Sequence, residues 1–421
     1  MAKVVLFFSF LVAIAANCGN SDNSAGAGAR PQVLPPDPPK GGVWTEEQGM
    51  SDTVAPLPAA YFPESYLPLL TGQRLALVVN QTSTVANSHL VDTLLAMDQD
   101  VRRIFAPEHG FRGSADAGAQ ISDGRDSRSG LPIKSLYGKT KKPSAADLAD
   151  IDVIVFDIQD VGARFYTYIS TLYYVMEAAA RYGKTVVVLD RPNPNGHLID
   201  GPVLDTAFQS FVGIVPIPVA HGLTVGEFAQ LVNGEGWLPE GLRVKLSVVK
   251  MPDYAHDRIY ELPIPPSPNL PNQRSIYLYP SLCFFEGTPV SVGRGTSKQF
   301  QVYGHPALPF GDYYFTPTPG PGSQDPPLNG ERCRGEDLTH LSLAQARGTG
   351  QLDLDRLINT YRALESAGVT FFSRPDFFDL LAGTDQLRLQ ILAGQSAAEI
   401  RASWQPGLAE YRVLRERYLL Y

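Results

Sequence analysis

Glu108 is the side chain in this sequence best placed to move a proton. It follows the apolar run 101–106 in the stretch Pro107-Glu108-His109-Gly110. A carboxyl just past a buried strand can be desolvated enough to hold its proton near neutral pH and act as a general acid. The plainer alternative is a helix cap or an ion pair with Arg112. Other polar residues stand at similar places. Asn80 follows the run 75–79. Asp157 and Asp160 follow 153–156, with Arg164, Tyr166 and Thr167 close behind. Asp190, Arg191 and Asn193 follow 185–189, and His221 follows 214–220. Taken singly, each Asp reads as a cap or a loop ion pair. Taken together, the acidic endings and two arginines suit a sugar, whose hydroxyls accept charge-assisted and bidentate partners. His109 and His221 either touch substrate or orient their neighbours. Arg294, between Gly293 and Gly295, is either a cation facing a cleft or part of a surface turn.

For these endings to converge, they must sit at one rim of a sheet. The runs 75–79, 101–106, 153–156, 185–189 and 214–220 are short and continuously apolar, as strands buried on both faces of a parallel sheet must be. Helical periodicity falls between them at 89–97, 168–182 and 224–233, the last opening with a capping box of Thr224 and Glu227. Alternation of this kind predicts a doubly wound, mostly parallel α/β domain over 56–238, with ligands beyond the carboxyl ends of the strands. From 239 to 421 the pattern changes to an α+β domain closing over the first. It opens with a strand within 242–249 and carries helices at 353–367, 386–393 and 397 onward.

A formal net charge of -8 is poorly suited to a phosphate backbone, so nucleic acid is not an expected partner. Lys3 and the apolar run 4–16 read as an export signal, too short to span a bilayer, which places the protein in the cell envelope or periplasm. Cys18 follows directly and fits a lipoprotein acylation site, although Asn17 replaces the small residue usual before it. A lipid there is the one expected link to a membrane. Residues 19–55, rich in Gly, Ser, Asn and Pro, read as a linker. Cys283 and Cys333 read as two unpaired, mostly buried thiols, with a disulfide between them the alternative that export permits. The three cysteines and seven histidines show no zinc spacing, so neither a metal nor a cofactor is expected. No dinucleotide fingerprint, Ser nucleophile elbow, complete P-loop or H-E-x-x-H is present.

Several long ordered stretches carry a family resemblance: VVNQTS (78–83), FAPEHGFRG (105–113), VFDIQDVGARFYTY (155–168), LDRPNPNG (189–196), HGLTVGEFA (221–229), SPNLPN (267–272), LCFFEGTPVSVGRGT (282–296) and the terminal YLLY (418–421). The chain resembles the exo-β-N-acetylmuramidases of the NamZ type, long known only as a domain of unknown function. The resemblance implies a Rossmann-like domain, a smaller second domain and an active site in the cleft between them. It implies release of N-acetylmuramic acid from the non-reducing ends of peptidoglycan chains. It also implies that Glu108, in the EHG motif, is the catalytic glutamate, and it adds Asn269 of SPNLPN to the substrate-binding candidates. The stretch 123–128 and the Pro-rich insert 317–327 match less clearly.

Two other functions remain open from sequence: an inactive protein that binds muropeptides, and an esterase or amidase acting on the same polymer. Release of sugar from a chromogenic muramic acid glycoside separates the first from an enzyme. The missing Ser elbow and metal ligands count against the second. Asp157 and Asp160 are candidates for the second catalytic group. One of them would orient the substrate's own acetamido group in an internal attack, or activate water in direct inversion.

Overall fold

The computed structural model describes residues 55–108, 110–111, 123–138, 140–348 and 350–421. The export signal, Cys18, the linker up to 54, and His109 lie outside them. A seven-stranded sheet runs in the spatial order Lys245–Val249, Thr185–Leu189, Val153–Asp157, Leu75–Val79, Val101–Ala106, Pro132–Ser135, Gly124–Arg125. Every pairing is parallel except the last.

The apolar runs form central strands because both of their faces are covered. Ala76, Val78, Ile154, Phe156, Val186 and Val188 enter one core with the helices Tyr168–Arg181 and Val225–Glu235. Their alternating neighbours Leu75, Leu77, Val79, Val153, Val155, Val187 and Leu189 enter a second core with the helices Pro63–Leu70 and Leu90–Ala96. Period-two alternation of side chains thus feeds two apolar layers at once.

Two expectations need correction. The strand within 242–249 does not open a second domain. Lys245–Val249 pairs in parallel with Thr185–Leu189 and forms an edge of the main sheet. The run 214–220 is not a central strand either. Only Pro218–His221 is extended, and it pairs antiparallel with Ile199–Val203 outside the main sheet. Both segments are short and apolar, and length and composition alone do not specify which partner supplies the ladder.

The smaller C-terminal domain carries a three-stranded antiparallel sheet, Val302–His305, Cys333–Asp337 and Tyr313–Phe315, with helices that include Gln273–Leu282, Leu354–Ser366, Pro375–Ala382 and Ala397–Glu416. Its buried Phe284, Phe285, Phe300, Phe371 and Trp404 continue the first core without a break. The chain end is tied back to the main sheet. The Tyr421 hydroxyl donates to Asp190 Oδ2 at 2.7 Å, and the Leu420 N–H donates to Glu227 Oε1 at 2.8 Å. These bonds give the terminal YLLY stretch a structural purpose. Cys283 and Cys333 are buried and unpaired, as expected. Among the described residues no helix is long and apolar enough to cross a membrane, and no group of His, Cys, Asp or Glu could hold a metal ion.

Candidate active site

The sheet places Glu108 directly after Val101–Ala106, one strand away from the Leu75–Val79/Val153–Asp157 pair at which the winding reverses. Glu108 is half-buried, and Oε2 accepts a hydrogen bond from the Thr167 hydroxyl at 2.9 Å. It lines a narrow cleft with a cavity volume of about 60 Å³. Phe165 and Tyr166 come from the loop after the Asp157 strand, Tyr168 from the start of the helix Tyr168–Arg181, Ser267 and Asn269 from the Pro-rich loop, and Tyr279, Arg294 and Phe300 from the C-terminal domain. The Tyr166 and Tyr168 rings meet edge to face at 4.9 Å, and both hydroxyls donate to the Pro266 carbonyl. That pair fixes the Pro-rich loop against the first domain. Burial raises the Tyr168 hydroxyl above its ordinary value, and the charge of Glu108 adds to the shift.

Two polar groups at this cleft lack partners among the described residues. Arg294 gives Nε to Glu286 Oε1 at 2.5 Å, and its guanidinium lies 5.1 Å from the Phe300 ring centre, yet Nη1 has no acceptor. Asn269 gives its amide N–H to the Gly322 carbonyl at 2.8 Å, yet Oδ1 has no donor. A buried polar atom left unpaired costs about 1–3 kcal/mol, so a free donor and a free acceptor on one wall suit a polar ligand.

The other expected residues are drawn together, but largely onto one another. Asp157 is fully buried and grips Arg191 with both oxygens, Nε to Oδ1 at 2.5 Å and the second nitrogen to Oδ2 at 2.9 Å. Its geometry is that of a structural ion pair between neighbouring strand ends, which replaces the catalytic role expected for it and the substrate role expected for Arg191. Asp190 accepts from the Thr224 hydroxyl, the Gly226 N–H and Tyr421, and so anchors the start of the helix Val225–Glu235. Burial pushes its pKa up to about 7, with help from the charge of Glu227.

Asp160 accepts from the Gly162 N–H at 2.7 Å and lies 3.8 Å from His221 Nε2. Burial pushes Asp160 up to about 7 and His221 down to about 3, so the histidine is neutral. The Leu223 N–H donates to His221 Nδ1, which leaves the ring proton on Nε2, facing Asp160. Neither residue lines the cleft. Asn193 bonds the Leu223 carbonyl and the Asn195 N–H, and its side chain occupies the space beside Gly162. A Cβ there would collide with it, and Gly162 also has φ +76°. Asn80 caps its own turn through Thr82 and holds His89 by its carbonyl.

Arg164 lies outside the cleft lining. It is fully buried, and its guanidinium donates to the carbonyls of Pro202, Ile217, Leu381 and Ala382. Burial lowers its pKa to about 9. The charge sits at the carboxyl end of the helix Pro375–Ala382, where the helix dipole favours a cation. Tyr168, Ser267, Tyr279 and Phe300 were not among the expected residues. The first two lie inside the family stretches quoted above; Phe300 carries no signal of its own.

Comparison with known proteins identifies the family. The N-terminal domain model of "Exo-beta-N-acetylmuramidase NamZ" matches residues 75–274, and the C-terminal one matches 277–421. The chain belongs to this family. It is 37% identical over 382 residues to the peptidoglycan beta-N-acetylmuramidase NamZ of Bacillus subtilis (strain 168), covering 85% of this chain and 89% of that protein. A crystal structure of a DUF1343 family protein from Bacteroides fragilis superimposes with a TM-score of 0.80 at 46% identity, covering 86% of this chain and 98% of that one. A second from the same organism gives 0.69 at 32%, covering 85% and 96%. The NamZ domain junction near 275 falls after the Lys245–Val249 strand, consistent with that strand's place in the main sheet.

Proposed function

We propose that this NamZ-family chain is an exo-β-N-acetylmuramidase, a glycoside hydrolase that removes terminal non-reducing N-acetylmuramic acid from peptidoglycan fragments. One observation carries the reading at the level of the site. Glu108, from the first domain, and Arg294, with a free guanidinium nitrogen, from the second, line one cleft. Muramic acid differs from N-acetylglucosamine by a lactyl ether bearing a carboxylate, and a forked guanidinium is the matching partner. Arg294 therefore selects the lactyl group, and Glu108 protonates the leaving oxygen.

Among the described lining residues Glu108 is the one carboxylate. Direct inversion needs a second acid about 6.5–9.5 Å away, whereas attack by the substrate's 2-acetamido oxygen needs none. The internal route is the one we favour, with Asn269 Oδ1 accepting the acetamido N–H. The test is hydrolysis of chromogenic N-acetylmuramic acid and N-acetylglucosamine glycosides. Wild type should prefer the first, and Arg294→Ala should lose about 1.5–3 kcal/mol of that preference. Proton NMR of the same reaction should show a β anomer first. An unchanged preference in Arg294→Ala removes the assigned role, and an initial α anomer excludes the internal route.

Export and acylation at Cys18 belong to the same proposal, because the polymer lies outside the cytoplasmic membrane. Wild type should partition into detergent and Cys18→Ser into water. Wild-type protein found in the aqueous phase would mean a plain cleaved signal.

A further inference from the structure

A second, larger groove opens beside the cleft, with a volume of about 980 Å³. Pro289 and Val290 lie along it. The Pro-rich segment contributes Gln324 and Asp325, and the start of the helix Pro375–Ala382 contributes Arg374 and Phe377. Cleft and groove meet at Arg294. Arg294 lines both, and the Asn269 amide of the cleft is bonded to the carbonyl of Gly322, which lines the groove. The Pro-rich segment is fastened to the Arg294 turn, because the Thr318 N–H donates to the Gly295 carbonyl at 2.9 Å. Gly295 has φ +76°, and a Cβ there would press on the Thr318 carbonyl and Pro326, so the contact requires glycine.

We infer that this groove holds the leaving side of the substrate, the N-acetylhexosamine chain beyond the scissile bond. The inference rests on the muramidase reading. An enzyme that takes one terminal sugar into a small cleft must place the rest of the chain outside it, along the surface continuous with the catalytic carboxyl. The groove matches that chain chemically. Pyranose rings present apolar C–H faces and polar rims, and the groove sets Phe377, Pro289 and Val290 beside Gln324 and Asp325. Arg374, 4.5 Å from the Phe377 ring centre, adds positive charge for the lactyl carboxylates that recur on alternate sugars. Contacts to sugars remote from the reacting bond are spent on lowering the barrier, so they register in kcat/KM for chains and not for small glycosides.

The test compares kcat/KM on an aryl N-acetylmuramic acid glycoside with that on a tetrasaccharide ending in N-acetylmuramic acid, in wild type, Phe377→Ala and Gln324→Trp. The first variant removes a platform, and the second fills the groove from an exposed loop position where folding is not at stake. The ratio of chain to aryl glycoside should fall about tenfold or more in each folded variant. A ratio within about twofold of wild type in Gln324→Trp overturns the groove assignment while leaving the muramidase reading intact. Wild-type protein that cleaves neither substrate overturns both.

Discussion

Glu108→Gln is expected to lower sugar release by about 10²–10⁴-fold while leaving the fold unchanged. The substitution keeps the side chain's volume and its acceptor for the Thr167 hydroxyl, which bonds Oε2 at 2.9 Å. What disappears is the proton. No other carboxyl among the described lining residues can supply one, since Asp157 is locked to Arg191 and Asp160 lies behind the cleft wall. Turnover of the aryl glycoside, measured beside the urea midpoint of the same preparation, checks both halves of the statement. A variant keeping more than roughly a tenth of wild-type turnover would show that Glu108 is not the acid.

Asp157→Ala should do the opposite and strike stability first. Asp157 is fully buried and Arg191 is 5% exposed, so removing the carboxylate leaves a guanidinium in the interior without its anion. Breaking a buried pair in this way costs about 3–5 kcal/mol, because the surviving charge has lost its water as well as its partner. The loss should appear as a shift of the urea midpoint at unchanged slope. The pair joins the ends of adjacent strands, one of which leads into the loop that carries Tyr166 and Thr167, so protein that remains folded should also bind substrate less well. A loss under about 1 kcal/mol would mean that the pair is not what holds these strand ends together. The two variants thus separate chemistry from scaffold at positions that sequence alone treats alike.

The sequence by itself determined the layered architecture and the place of the candidate acid. Runs such as Leu75–Val79 and Thr185–Leu189 are apolar at every position or nearly so, and only a strand covered on both faces requires that. The capping box of Thr224 and Glu227 and the helix after it depend on residues three and four apart, so they could be read locally. Glu108 was legible for the same reason: its position is set by the strand it follows.

Which polar endings face the cleft was decided only in three dimensions. Asp157 meets Arg191 across 34 positions because their strands are neighbours in the sheet order. Arg164 meets the carbonyls of Leu381 and Ala382 more than 200 positions later, because the second domain docks there. Tyr421 reaches Asp190 across 231. In each case a residue type suited to binding a sugar was consumed by another part of the chain, since a buried charge must find a partner wherever the fold brings one. Arg294 kept a free nitrogen because Glu286 takes only Nε, and that geometry depends on how the turn around Gly293 and Gly295 packs on Phe300 and Pro326. Spacing encodes the periodicity of a strand or a helix; it carries no record of which distant surface will close over its end.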